Sequence, residues 1–446
     1  MKLFGTDGIR GRAGAAPLDP ATINRVGAAL VRALADESRP RSETRVVVGR
    51  DTRESGEWIE RELARGLAAE GATAVSAGVI PTPAIAYLAR SESFDAGIVI
   101  SASHNPYEDN GIKVFSGRGE KLAEALEARI EAMVADETWT VHPGPPRLEH
   151  DDLTRRYVAH LREVLDSAGS SMAGTFVIDC ANGATWAVAP SLFQDLGFDV
   201  VAIANHPDGR NINLNCGSTH LDGLKAKVLE TSARLGVAFD GDGDRALFVD
   251  HTGHVVDGDA VLLIAAEQLK KEGRLTGNTV VATVMSNIGL ELALRERGID
   301  LVRAPVGDKY VMEEMQRRGS ALGGEQSGHL IFASHLYTGD GIATALNVLR
   351  VMAVTGLELH DLAGKLVTYP QVLVNVRVRT KSDYMAIPAI ADTIERIESR
   401  LANRGRLLIR YSGTEPLLRI MLEGQDDGEI RHWANEIAEV VRAHLA

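Results

Sequence analysis

Three stretches of this chain repeat one pattern, a short apolar strand that empties into a polar turn. They are Val99-Ile100-Ser101-Ala102-Ser103-His104-Asn105, Val177-Ile178-Asp179-Cys180-Ala181-Asn182 and Ala282-Thr283-Val284-Met285-Ser286-Asn287. Helix-period segments lie between them, and strands alternating with helices imply layered α/β domains. The recurrence hints at one unit used three times, although residue identity between the copies is low. At 446 residues the chain is too long for one core. With about 100–200 residues per domain, three or four domains are expected.

Asp19-Pro20 predicts the start of a helix reaching about residue 35, with Asp as N-cap and Pro in the first turn. A Val-rich strand is predicted at 45–49, a helix at 57–70 closed by Gly71, and strands at 97–100 and 112–115. His142-Pro143-Gly144-Pro145-Pro146 marks a linker over 137–150. A second α/β set follows, with helices at 151–167, 186–196 and 221–235 and strands at 176–180, 200–203 and 237–239. The third has helices at 257–272, 288–297 and 308–318 and strands at 280–284 and 301–304. After Pro370 a smaller α+β pattern is predicted: strands at 372–378, 407–410 and 418–422, helices at 384–402 and 428–444. The expected domains are therefore 1–150, 151–253, 254–369 and 370–446.

Hydrophobic content of 45% and charged content of 24% suit a soluble globular protein. Neither a signal peptide nor an apolar run of about 18 residues is found, so no membrane association is expected. Two cysteines make no disulfide framework and fit a reduced, cytoplasmic setting. A net charge of −13 argues against nucleic acid as a partner. An anionic ligand would need locally placed arginines and backbone amides.

Four loops carry candidate chemistry. Ser103 sits at the mouth of an apolar strand, where nucleophiles are commonly held, while Asn105-Pro106 stops the turn from becoming helix. In Phe239-Asp240-Gly241-Asp242-Gly243-Asp244-Arg245 three carboxylates alternate with glycines and can face one point. Their mutual repulsion is relieved by a divalent cation, and an all-oxygen donor set favours Mg²⁺, Ca²⁺ or Mn²⁺. An EF-hand is excluded, since its sixth and twelfth places hold Arg245 and His251. A phosphatase with Asp240 as nucleophile is an alternative, although that motif wants Thr or Val where Asp244 stands. Gly323-Gly324-Glu325-Gln326-Ser327-Gly328-His329 offers the polar groups a polyhydroxylated ligand would pair with. Arg410-Tyr411-Ser412-Gly413-Thr414-Glu415-Pro416, with Arg419, forms a plausible phosphate cradle of hydroxyls, amides and guanidiniums. Arg10 and Arg12 lie in a glycine-rich turn after Phe4.

In order and spacing, Ser101–Pro106 with Asn110–Lys113, Asp240–Arg245, Gly324–His329 and Arg410–Pro416 resemble the α-D-phosphohexomutase family over essentially the whole chain. The start Phe4–Gly11, the stretch Val284–Asn287 and Gln326 are similar to its bacterial branch acting on glucosamine phosphate. The resemblance implies three similar α/β domains with mixed sheets between helices and a smaller C-terminal α+β domain, around a central cleft. It implies that Ser103 is carried as phosphoserine and that Asp240, Asp242, Asp244 and the Ser103 oxygen hold one Mg²⁺. Glu325, Ser327 and His329 would meet the sugar, and Arg245, Arg410, Ser412, Gly413, Thr414 and Arg419 complete the substrate contacts, the last five holding the non-reacting phosphate. The turn 306–310 would also touch substrate.

The implied reaction interconverts glucosamine 6-phosphate and glucosamine 1-phosphate through a 1,6-bisphosphate, supplying UDP-N-acetylglucosamine for the cell wall. A phosphomannomutase/phosphoglucomutase is the alternative within the family, and a non-catalytic sugar-phosphate binder the alternative outside it. Lys113 is the expected general acid/base, with Arg10 and His104 beside it holding charge or protons. The family also suggests a homodimer, and because water would hydrolyse a phosphoserine, a mobile fourth domain that closes to exclude it is expected.

Overall fold

The computed structural model describes residues 2–5, 7–35, 44–166, 174–412 and 415–446. Thr6, Ser167, Gly413 and Thr414, which the sequence expectations touch, lie outside that set. The chain divides into two compact units, residues up to Met285 with Leu301–Gly364, and Ser286–Asp300 with Lys365–Ala446.

In the first unit, local signals set the element boundaries. The Asp19 carboxylate accepts the Thr22 N–H at 3.1 Å and Pro20 opens the helix Pro20–Leu34. Its apolar face packs with the helix Gly56–Ala69 through Ile23, Leu30, Leu63 and Leu67, all fully buried. These helices cover a seven-stranded mixed sheet in the order Phe4–Gly5, Gly8–Arg12, Asp109–Ser116, Ala96–Ile100, Arg45–Arg50, Thr73–Val79, Leu148–His150. Arg45–Arg50 is parallel to both of its neighbours, as its Val-rich, doubly buried sequence requires. The strand Ala96–Ile100, buried throughout, delivers Ser101 and Ser103 at its carboxyl end.

A second sheet orders Val255–Val256, Ala246–Asp250, Leu235–Phe239, Thr175–Asp179, Asp199–Ile203, with the last three parallel. Its central strand releases the aspartate turn, and Ala246–Asp250 returns antiparallel from it. The third sheet is Asp300–Ala304, Thr279–Thr283, Leu322–Gly324, Leu330–Phe332. The Glu325 loop closes the hairpin between its last two strands.

The second unit holds an antiparallel sheet in the order Gln371–Arg377, Leu417–Gly424, Gly405–Tyr411, covered by the helices Pro388–Leu401 and Asp427–Leu445. The helix Ile288–Glu296, expected in the third α/β set, belongs to this unit. Asn287 exchanges two hydrogen bonds with the Tyr369 backbone at 2.9 and 3.0 Å, and a Cβ on Gly289 would lie 1.9 Å from the Val367 carbonyl oxygen.

Three sequence expectations change. The supposed linker ends in the strand Leu148–His150, parallel to Thr73–Val79. Extended backbone after a proline pair suits a sheet edge, so the same residues serve both uses. The helix expected over 221–235 spans Asp222–Thr231, because Ser232 takes a left-handed φ of 51° and Leu235 opens a strand. The helix Gly341–Thr355 was not expected; it is buried over most of its length, and a helix apolar all round gives no amphipathic period. Among the described residues no helix is long and apolar enough to cross a membrane.

Candidate active site

Two turns far apart in sequence meet in the first unit. Ser103 Oγ donates to Asp240 Oδ2 at 2.5 Å, and both residues are buried. Ser103 takes a φ of 52°, a left-handed conformation that costs a non-glycine residue roughly 1–3 kcal/mol and persists only where its surroundings enforce it. The enforcement is visible. The Ser103 N–H donates to Ser101 Oγ at 2.9 Å, and Ser101 Oγ donates to Asp51 Oδ2 at 2.5 Å. Arg53, only 1% exposed, pairs with Asp51 at 2.8 Å. Its guanidinium also donates to the carbonyls of Ser103, Asn105, Pro106 and Asp109. Asn213 donates to the Ser103 carbonyl at 2.8 Å from the other side.

The aspartate turn brings one oxygen each of Asp240, Asp242 and Asp244 within 4.8 Å of one another. Gly241 has no room for a side chain, since a Cβ there would lie 2.5 Å from the Ser103 carbonyl oxygen. Gly243 needs its φ of 74°. Lys113 is buried and reaches Asp242, Asp7 and Asp244 at 2.8, 3.0 and 3.2 Å. Thr82 donates to Asp242 Oδ2 at 2.6 Å, and His329 Nδ1 stands 3.7 Å from Asp244 Oδ2. Among the described residues, Asp242 Oδ1 and Asp244 Oδ1 are buried without a hydrogen-bond partner. Two orphaned carboxylate oxygens beside a third carboxylate form a donor set that a hard divalent cation fits.

Burial, with Asp244 and Asp242 close by, pushes the Asp240 carboxyl well above its ordinary range. Burial also acts upward on Asp244, but Lys113, His329 and Arg245 outweigh it and hold that group well below. Burial acts downward on Lys113, and the three aspartates override it, so its ammonium is firmly charged. His104 is pulled below the ordinary imidazole value by burial, then by Arg245 and Arg10. Its Nδ1 lies 3.4 Å from Ser103 Oγ and 3.3 Å from Arg245 Nη1.

Of the remaining expected residues, some lie beside this centre in the first unit and others lie on the second unit. Arg10 pairs with Asp7, which also meets Lys121 at 2.8 Å. Lys121 in turn reaches Asp308 at 2.5 Å. Glu325 accepts the Gly307 N–H at 3.1 Å and the Ser327 hydroxyl at 3.3 Å, which brings the 306–310 turn to the sugar loop. Gln326 donates to Asp257, the N-cap of the helix Gly258–Lys271, so its amide also anchors the loop. On the second unit, Arg410 and Arg419 are directly opposite on adjacent strands. Like charges so paired are unfavourable unless an anion or carboxylate lies between them. Arg419 meets Glu415 at 3.1 Å and Ser412 Oγ at 3.5 Å.

Sequence reasoning missed Asp7, Asp51, Arg53, Thr82, Lys121 and Asn213. A signal existed for Asp51 and Arg53, because Arg45–Arg50 also empties into a polar turn. Asp7 lay within the noted glycine-rich start.

A hydroxyl beside three carboxylates, with arginines and lysines close by and α/β sheets supporting it, is the arrangement a phosphohexomutase would need. The chain belongs to the phosphoglucomutase/phosphomannomutase family: models of its α/β/α domains I, II and III match residues 1–141, 155–253 and 257–369, and its C-terminal domain matches 373–440. It is 50% identical over 446 residues to a phosphoglucosamine mutase of Solibacter usitatus, covering 99% of each chain. It is 46% identical over 449 residues to one of Syntrophotalea carbinolica, covering 100% of this chain and 98% of that one. Among solved structures, a phosphoglucomutase/phosphomannomutase family protein of Burkholderia thailandensis matches at 25% identity with a TM-score of 0.80, over 98% of this chain and 97% of that one. An Aspergillus fumigatus N-acetylphosphoglucosamine mutase, solved with GlcNAc-6P and magnesium, shares the fold at 18% identity and a TM-score of 0.67, over 99% and 95% of the chains.

Proposed function

We propose that this chain interconverts glucosamine 6-phosphate and glucosamine 1-phosphate, with Ser103 carried as a phosphoserine. The 2.5 Å approach of Ser103 Oγ to Asp240, beside the orphaned oxygens of Asp242 and Asp244, carries this reading. The full-length similarity to phosphoglucosamine mutases supports the choice of sugar. The four functional segments are read as domains 1–150, 151–253, 254–369 and 370–446.

Asp240, Asp242 and Asp244, with a phosphoserine oxygen, would hold Mg²⁺. When bound, the ion supplies positive charge that neutralises the phosphoryl oxygens. The chain's own residues do the rest. Phosphoryl transfer needs positioning and charge stabilisation more than covalent help. Arg53 and Asn213 fix the loop so that the phosphoryl group is aimed at a sugar hydroxyl. That hydroxyl attacks phosphorus, the Ser103 Oγ–P bond breaks, and a 1,6-bisphosphate results. The hydroxyl proton passes to a base in the site, for which His104, neutral and 3.4 Å from Ser103 Oγ, fits. Lys113, held as an ammonium, stabilises the charge and supplies a proton to the Ser103 oxygen as it leaves. The bisphosphate turns end for end, the other phosphate returns to Ser103, and the proton flow reverses. Glu325, Ser327 and His329 orient the sugar, while Arg410, Ser412, Gly413, Thr414 and Arg419 hold the phosphate that is not reacting.

A coupled assay with glucosamine, glucose and mannose 6-phosphates tests the proposal. The highest kcat/KM is expected on the glucosamine compound, with turnover abolished by Ser103→Ala. A preference for glucose or mannose phosphate, or near-normal turnover in the variant, contradicts it.

A further inference from the structure

A second cluster of metal-ligating side chains lies outside the active site, where the hairpin Ala246–Asp250/Val255–Val256 meets the short helix Leu359–Ala363. Asp250, His254 and His360 each offer one ligand atom, and these lie within 4.8 Å of one another. His360 Nδ1 is 2.8 Å and His254 Nδ1 3.8 Å from the same Asp250 oxygen, Oδ2. With metal–ligand bonds near 2.0–2.1 Å, a tetrahedral site sets its ligand atoms about 3.3 Å apart. The two separations straddle that value. On binding, side-chain rotations would exchange the 2.7 Å hydrogen bond of His254 Nδ1 with Thr252 Oγ1, and the 2.8 Å bond of His360 Nδ1 with Asp250, for the metal. We propose that Asp250, His254 and His360 bind a borderline transition-metal ion of the Zn²⁺ class.

The carboxylate is built for the role. Asp250 is buried, and its other oxygen, Oδ1, accepts the Thr252 N–H at 2.8 Å, the Thr252 hydroxyl at 2.6 Å and the His254 N–H at 3.0 Å. All three bonds come from the turn itself, and they fix the group with Oδ2 toward the imidazoles. Such outer contacts orient a ligand and set its affinity. The histidine side chains are 75% and 45% exposed, which leaves an entry path and room for water as a further ligand. His251, on the same turn, has its ring 5.6 Å from that of His360.

Two imidazoles and one carboxylate, without thiolate, suit Zn²⁺, Co²⁺, Ni²⁺ or Cu²⁺ better than Mg²⁺. The ion would pin the turn after Asp250 to the helix that carries His360. The bidentate Arg234–Glu358 pair lies just ahead of that helix in sequence, with its shortest contact at 2.8 Å.

Equilibrium dialysis of the full chain against Zn²⁺ in excess Mg²⁺ tests the proposal, with a His254→Ala/His360→Ala double variant alongside. Any zinc on the aspartate turn is common to both proteins. The native chain should retain one more zinc than the double variant, and loss of the two ligands should weaken that site by at least the 10–100-fold seen for outer-contact losses. Zinc should also raise the melting temperature of the native chain and not that of the variant through this site. Both histidines are exposed, so the variant should fold and keep its turnover under Mg²⁺. A single His360→Gln variant repeats the comparison with a smaller change. Equal zinc retention and equal thermal response in native and variant chains overturn the proposal.

Discussion

Ser103 and Asp240 are 137 residues apart in sequence, and their side-chain oxygens meet at 2.5 Å. The contact exists because two parallel-sheet strands, Ala96–Ile100 and Leu235–Phe239, present their carboxyl ends to one another in the same unit. Open α/β sheets place ligand sites at such ends. The glycine between the first two aspartates lets the backbones approach.

That approach makes Gly241 sensitive to a single methyl group. In Gly241→Ala the added Cβ would stand 2.5 Å from the Ser103 carbonyl oxygen and 2.8 Å from Asn213 Nδ2. Neither turn can yield without moving the reacting oxygen. A misplacement of about 1 Å costs on the order of 100-fold in rate, so kcat should fall by about that factor. Stability should drop by roughly 1–3 kcal/mol, as overpacking does. Steady-state kinetics and urea denaturation check both.

Lys113→Met leaves Asp7, Asp242 and Asp244 without their shared cation. Removing one partner of a buried pair costs about 3–5 kcal/mol. Loss of a group that handles charge and protons should lower kcat about 10²–10⁴-fold. Added Mg²⁺ should recover part of the stability and little of the rate, as read by melting temperature and assay.

Arg53→Lys keeps the charge and loses the fork. One ammonium cannot serve Asp51 and four carbonyls, so buried acceptors are left unpaired at about 1–3 kcal/mol each. Since Arg53 acts only through the loop, the expected signature is a fall in kcat with KM little changed. The Ser103 amide should also exchange faster with deuterium.

Much of this centre was legible in the sequence because it lies in contiguous loops. Three acids spaced by glycines after an apolar strand, or a serine at a strand mouth, announce themselves locally. Asn213 did not, since its partners are distant in sequence. The weaker local signals at Arg53 and Asp7 did not reveal their long-range partners, because a lone arginine after a strand has an ordinary surface use. The α/β rhythm was readable where helices are amphipathic. It failed at Gly341–Thr355, where burial erases the period. The helix Ile288–Glu296 was found in the sequence, but its contact grouping with the last segment is encoded by no local pattern.

Acid sensitivity should have a source outside the active site. Burial, with His160 and the nearby arginines, pushes His335 down to about 4 from an ordinary value of 6.5. Between those values the unfolded chain binds the proton and the folded chain does not. The stability this group contributes is thus complete above about pH 6.5 and lost as pH falls toward 4. At about 1.4 kcal/mol per pH unit the loss approaches roughly 3 kcal/mol. His160, its ring 6.0 Å away and also lowered by burial, acts with the same sign. His335→Gln should flatten the acid limb of a denaturation series taken from pH 7 to 4.

The most direct measurement is the position of the phosphoryl group on the working enzyme. Peptide mapping by mass spectrometry, on chain quenched during turnover of glucosamine 6-phosphate, should find phosphate on Ser103 and on no other residue. Phosphate on Asp240, or turnover with Ser103 never modified, would contradict the account.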